Sequence, residues 1–174
     1  KDPFNTDECE SLLRYLGCAA YPTAAFNRLY FNDDEGLAPG IAYQQAASAA
    51  KELLQVLQNY SAPSFASVDI EHQLDGNTLS LKVSGKGGDV ARKVLEGYSL
   101  TVYVLEDSLK YRQLNNGKWI NNYIHRHVFR KAATALNGDA LNWISDSEYS
   151  NELTVELSEE WVKENLSVVA FISK

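Results

Sequence analysis

A chain of 174 residues with 45% hydrophobic content can bury a core of its own or divide into two small domains. Its formal net charge of −7 excludes the basic footprint expected of a nucleic-acid-binding protein. No apolar run reaches the length of a membrane span, and two cysteines are too few for a disulfide framework.

The chain opens on Lys1 and contains no Met, which reads as a processed or trimmed product. A signal peptide or lipid-attachment site would lie upstream. Thr6-Asp7-Glu8 starts a helix, with Thr6 as N-cap and the acids suited to the positive end of its dipole. Leu12, Leu13 and Leu16 form its apolar stripe, and Gly17 is placed for a left-handed C-cap. Cys9 lies in this helix and Cys18 just beyond it. Nine residues of helix separate them by roughly 13 Å along the axis. A disulfide requires α-carbons within about 7 Å, so two thiols, mostly buried, are expected.

Pro22 then enters a strand over Ala24–Phe31, with Tyr21–Pro22 a candidate cis peptide. Asn32–Gly36 is an acidic turn. Ile41–Tyr60 has the strongest helical period of the chain, with Ala42, Ala46, Ala49, Ala50, Leu53, Leu57 and Tyr60 on one face. Ser61-Ala62-Pro63-Ser64 is a linker, and it divides the chain into residues 1–62 and 63–174.

Beyond the linker the period changes to two. Val68, Ile70, His72 and Leu74, then Leu79, Leu81 and Val83, predict a hairpin with one buried face, turned at Asp75-Gly76-Asn77. Gly85–Gly88 reads as a flexible loop and lacks the Lys-Ser/Thr ending of a phosphate loop. Asp89–Gly97 is a short helix or a loop. Leu100–Leu105 and Tyr123–Phe129 predict two antiparallel strands joined by a long decorated loop centred on Asn115-Asn116-Gly117. Lys131–Asn142 reads as a loop with a helical turn. A strand over Glu152–Leu157, a short helix over Glu159–Asn165 capped by Ser158, and a last strand over Leu166–Ile172 complete an antiparallel β-sandwich.

His125 and His127 alternate along a predicted strand and would share one face. They are a candidate metal pair, with Glu106 or Asp107 as a further ligand. No third ligand is well spaced, so the favoured reading is structural, with the histidines bonded to the loop, and no cofactor is expected. Cys9 and Cys18 lie far from any His, no Gly-x-Ser-x-Gly elbow exists, and Glu106 and Asp107 point opposite ways. That pattern predicts no enzyme. Trp119, Tyr123, Trp143 and Tyr149, with Trp161, lie in or beside loops. Such rings either stack on a sugar or anchor a peptide, or they close the ends of the sandwich. The second reading is favoured.

Leu100–Asp107, in the pattern Leu-x-Val-x-Val-Leu-Glu-Asp, and Tyr123-Ile-His-Arg-His-Val-Phe-Arg130 resemble the twenty-eight-kilodalton outer-membrane protein family of Bacteroidetes. Leu166-Ser-Val-Val-Ala-Phe-Ile172 and Tyr21-Pro22-Thr23 with Asn27-Arg28 fit the same family. The resemblance implies an exported, outer-membrane-associated protein of the cell surface or periplasm. It also implies membrane association only through a lipid anchor upstream of Lys1, and no catalytic activity. The implied fold is α+β: an incomplete thioredoxin-like α/β remnant over 1–62, then an antiparallel immunoglobulin- or jelly-roll-like β-sandwich over 63–174. The Pro22 loop resembles the one that faces a CxxC in redox members, whose first βαβ half is absent here. A half-domain exposes a sheet edge, which a homodimer would cover. The expected function is non-catalytic binding, or a structural role, with a protein or glycan of the envelope as partner. The alternatives are a carbohydrate-binding module using the loop aromatics, and a thiol-redox protein lacking its first half.

Overall fold

The structure is a computed structural model and describes residues 3–18, 23–25, 28, 40–42 and 64–174. The chain separates into two compact units, one of Asp7–Ser64 and one of Lys1–Thr6 with Phe65–Lys174.

In the first unit, helix α1 covers Asp7–Tyr15, with Asp7, Glu8 and Glu10 in its first turn and Arg14 in its last. This charge order complements the helix dipole. The helix ends in a Schellman motif. Gly17 takes φ 63°, its N–H donates to the Arg14 carbonyl at 3.1 Å, and the Cys18 N–H donates to the Leu13 carbonyl at 2.9 Å. Cys9 and Cys18 are both thiols, each half-buried. Strands β1 (Thr23–Ala25) and β2 (Gly40–Ala42) pair antiparallel. Two expectations are corrected here. Arg28 has φ 53°, which no strand residue takes, so the strand expected over Ala24–Phe31 does not run through it. Ile41 and Ala42 are in β2, so the long helix does not begin at Ile41. Backbone pairing of Ile41 with Ala24 overrides the helical period there. The rest of that helix, the acidic turn, Pro22 and most of the linker lie outside the described residues.

The second unit is built on two antiparallel sheets. One has the order β10–β4–β3, from β3 (Asp69–Asp75), β4 (Thr78–Lys86) and β10 (Glu148–Glu156). The other has the order β11–β5–β8, from β5 (Ser99–Glu106), β8 (Val128–Ala132) and β11 (Leu166–Ser173), with the short β9 (Asp139–Ala140) also on β5. Alternation places Leu79, Leu81 and Val83 of β4 on one face, and Leu100, Val102 and Val104 of β5 on another. These residues meet Tyr149, Val155 and Leu157 in a single core, which defines a β-sandwich. β5 is buried on both faces. Tyr103, on its outer side, meets the edges of Phe129 and Phe171 at 5.1 and 5.8 Å and donates its hydroxyl to the Leu136 carbonyl at 2.7 Å. A short helix, α2 (Ala91–Val94), and a 3-10 turn at Lys163–Asn165 lie in the connections.

Several expectations need revision. The β3–β4 hairpin forms, with Gly76 at φ 58° in its turn, but β3 is exposed along its whole length, Ile70 and Leu74 included. β3 is one of the two edge strands of its sheet, and from that side the core is filled by β4 and β10, with Leu157 beyond β10 and Ala66 and Val68 ahead of β3 packed against it. Gly85–Gly88 is not a flexible loop. β4 continues through Lys86, and a Cβ on Gly85 would collide with the Ser67 carbonyl and lie 2.6 Å from the Tyr149 ring. A Cβ on Gly87 would likewise collide with the Phe65 carbonyl. The glycines are there for close backbone approach. Lys131–Asn142 contains the end of β8 and all of β9. The helix expected over Glu159–Asn165 reduces to the 3-10 turn.

The largest revision concerns residues 106–129. The supposed loop is itself a ladder of β6 (Leu109–Asn115) and β7 (Lys118–His125). Asn116 and Gly117 take φ 47° and 76°, the two positive values of a type I′ turn. The β5–β8 pair ends at Glu106↔Val128, and β6–β7 begins at Leu109↔His125. Between them lie matched kinks at Ser108 (φ 62°) and His127 (φ 52°). Tyr123–Phe129 is therefore two strands, not one.

Candidate functional site

A cleft of about 630 Å³ opens beside α2, lined among others by Asp89, Arg92, Glu96, Tyr98, Trp143 and Asp146. That volume lies within the usual span of small-ligand sites. Its walls are fixed by local bonding. The Arg92 N–H donates to the Asp146 carbonyl at 3.0 Å, and its guanidinium lies 3.8 Å from the Asp146 carboxylate. The turn after Trp143 is closed by the Ser145 hydroxyl, which accepts the Ser147 and Glu148 amides at 3.2 and 3.0 Å. Trp143 is half-buried and meets Tyr149 edge-on at 5.7 Å, so its orientation is set by the core. Tyr98 is half-buried as well. Two aromatic rings with carboxylates and a guanidinium around them match the chemistry of a sugar: apolar C–H faces to stack, and hydroxyls that donate and accept.

The four aromatics singled out by sequence do not form one site. Tyr149 is 1% exposed, with its hydroxyl donating to the Ser67 carbonyl at 2.9 Å, so it is a core residue and not a ligand platform. Burial of its ring, and then the Asp69 carboxylate, push its hydroxyl up to about 12. Trp143 faces the α2 cleft. Trp119 and Tyr123 are exposed on β7 but on opposite faces of the ribbon. Leu114 pairs with Trp119 and Tyr111 with Tyr123, and a bulge between those pairs reverses the parity. Tyr98, Arg92 and Asp146 were missed. Their signal is weak, because only the contact between α2 and the 140–146 segment brings them to Trp143.

His125 and His127 do not share a strand face. His125 ends β7 and packs edge-on against Tyr123 at 4.8 Å and Phe4 at 5.4 Å. His127 sits in the kink, where its N–H donates to Asp107 at 2.8 Å and its Nδ1 lies 3.9 Å from the same carboxylate. Among the described residues no group of three or more His, Cys, Asp or Glu could hold a metal. Glu106 is buried: it accepts the Val162 N–H at 2.9 Å and pairs with Arg130 at 3.2 Å. The Arg130 guanidinium lies over the Trp161 ring at 5.0 Å. Gly17 occupies the left-handed cap described above, and Pro22 lies outside the described residues.

The architecture is thus that of an antiparallel β-sandwich with a peripheral cleft and a projecting two-stranded ribbon. The model of the outer membrane protein Omp28 family matches residues 10–174, and the chain belongs to that family. It is accordingly an exported, outer-membrane-associated protein of the cell envelope. No curated protein matches it. Among solved structures, HBP35 of Porphyromonas gingivalis is similar, with a TM-score of 0.66 and 22% identity over 94% of this chain. That likeness is one of fold. The chain spans 50% of the length of HBP35.

Proposed function

We propose that this chain is a non-catalytic binding protein of the cell envelope whose ligand is a glycan held in the α2 cleft. The observation that carries this reading is the presence of Trp143 and Tyr98 in one cleft with Asp89, Glu96, Asp146 and Arg92. A sugar ring stacks on a core-braced indole at little entropic cost, while the charged groups select its hydroxyls. Titration of the intact protein with envelope glycans, followed by calorimetry and tryptophan fluorescence, tests it. Binding that is lost in Trp143→Ala supports the reading. Absence of heat and of any spectral change with peptidoglycan fragments and envelope polysaccharides overturns it.

In the same reading, the residues up to 62 that follow Thr6 are the second half of a thioredoxin-like domain, and Phe65–Lys174 with Lys1–Thr6 form the binding domain. Helix α1 closed at Gly17 and the β1–β2 pair support the first assignment. A lipid upstream of Lys1 anchors the protein, and a second copy covers the open edge of the half-domain. The intact mass of the native protein, with or without acyl groups, tests the anchor. Burial pushes the Cys18 thiol up, which reduces its thiolate fraction.

A further inference from the structure

We infer that the β6–β7 ribbon is a docking element for an anionic lipid surface. It lies outside the α2 cleft and is independent of any glycan there. Residues 109–127 contain Lys110, Arg112, Lys118 and Arg126 and no acidic residue, in a chain whose net charge is −7. All four basic residues are exposed, and no described carboxylate forms an ion pair with any of them.

The apolar residues are arranged to match. One face of the ribbon carries Lys110, Arg112, Leu114, Trp119 and Ile124. Of these, Leu114 is 50% exposed, Trp119 56% and Ile124 44%. Arg112 lies over the Trp119 ring, 4.8 Å from its centroid. The opposite face is covered at its base by Phe4, which meets Tyr111 at 5.7 Å and His125 at 5.4 Å. That face also exposes Tyr123, opposite Tyr111, and Ile120 towards the tip.

A protein docked on one face would leave the apolar residues of the other in water. A lipid interface surrounds the tip on both sides at once. Trp and Tyr favour the headgroup level, and Lys and Arg reach back to phosphates along their apolar stems. Among the described residues neither edge of the two-stranded ribbon is paired, so its insertion stops at the interface and does not enter the hydrocarbon. Charge complementarity then selects phosphate-bearing anionic lipids, at about fivefold in partition for each basic residue engaged.

The test is co-sedimentation of the intact protein with vesicles of phosphatidylglycerol and phosphatidylcholine in equal parts, and with phosphatidylcholine alone. The expected result is partition to the anionic vesicles that weakens with salt, with tryptophan emission quenched by brominated acyl chains. Arg112→Gln and Lys118→Gln each reduce partition about fivefold. Trp119→Phe abolishes the quenching, and Trp143→Phe retains it. Circular dichroism and thermal melting of each variant confirm that it is folded. Equal partition to both vesicle types, or none, overturns the proposal. So does quenching that survives Trp119→Phe. A dimer formed without lipid and lost in Trp119→Phe assigns the surface to a second copy and equally overturns it.

Discussion

The carboxylate of Asp107 accepts the backbone N–H of His127 at 2.8 Å, joining the two kinks at which the β5–β8 pair hands over to β6–β7. No ladder bond spans this break, so the side chain takes the place of a missing rung. Asp107→Ala removes a charge-assisted bond in a partly exposed site, with an expected cost of about 1–2 kcal/mol by denaturant unfolding. His127→Gly stays within about 1 kcal/mol of the parent, because φ 52° suits glycine, whereas His127→Val is clearly destabilising. An Asp107→Ala variant as stable as the parent would remove the kink from the stabilising contacts.

Tyr149 stands directly opposite Gly85 in the β10–β4 ladder, and its ring occupies the space of the absent Cβ. Gly85→Ala forces a methyl group against both that ring and the Ser67 carbonyl. The expected destabilisation is about 2–3 kcal/mol, measured as a fall in denaturation midpoint at unchanged m-value.

The same tyrosine predicts an alkaline limit. The folded protein retains the Tyr149 proton up to about pH 12, while the unfolded chain loses it near the ordinary tyrosine value of about 10. Between those values the unfolded state binds fewer protons, so stability falls as pH rises; below about pH 10 this contribution is fully present. Melting temperature measured across that window falls in the parent, and the fall is shallower in Tyr149→Phe.

Glu106 and Arg130 approach to 3.2 Å with side chains 1% and 11% exposed. The Nε–Oε2 approach is an ion pair without the alignment of a hydrogen bond, and among the described residues Arg130 Nη1 has no hydrogen-bond partner. Stacking on Trp161 and the bond from Val162 to Glu106 compensate in part. Removing one partner strands a buried charge, so Glu106→Ala or Arg130→Ala alone is expected to cost about 3–5 kcal/mol. Replacing both with apolar residues of similar volume costs less than either single change. A double-mutant cycle measures the difference.

The core strands were legible in the residues, because period two marks β4 and β5 directly: Leu79, Leu81, Val83 and Leu100, Val102, Val104. The errors share a cause, which is that tertiary position overrides local pattern. Ile70 and Leu74 alternate like core residues, yet β3 is an edge. Gly85 and Gly87 look like a linker until Ser67 and Phe65 lie across them. β6 and β7 escaped notice because Lys110, Gln113, Asn121 and Asn122 dilute their β-branched character, although Asn116-Gly117 was already a hairpin signal. The cleft was half-legible: Trp143 stood out, but Arg92 and Asp146 meet only in the fold.

The β6–β7 ribbon is also the least supported ladder of its unit. Among the described residues, β6 and β7 pair with each other and with no third strand. An isolated two-stranded ladder is marginal in water, and here Trp119, Leu114 and Ile124 remain exposed on one face. The described contacts at its base include Phe4 against Tyr111 and His125, and the Asp107 bond to His127. Amides of β6 and β7 are therefore expected to exchange with solvent at protection factors at least about tenfold below those of β4, β5 and β10. Phe4→Ala is expected to lower them further while leaving the core strands unchanged. Hydrogen exchange read by mass spectrometry resolves the two sets. Equal protection of ribbon and core would mean that the β6–β7 ladder opens only with the sandwich, and that its exposed face is held by contacts stronger than Phe4 and Asp107 provide.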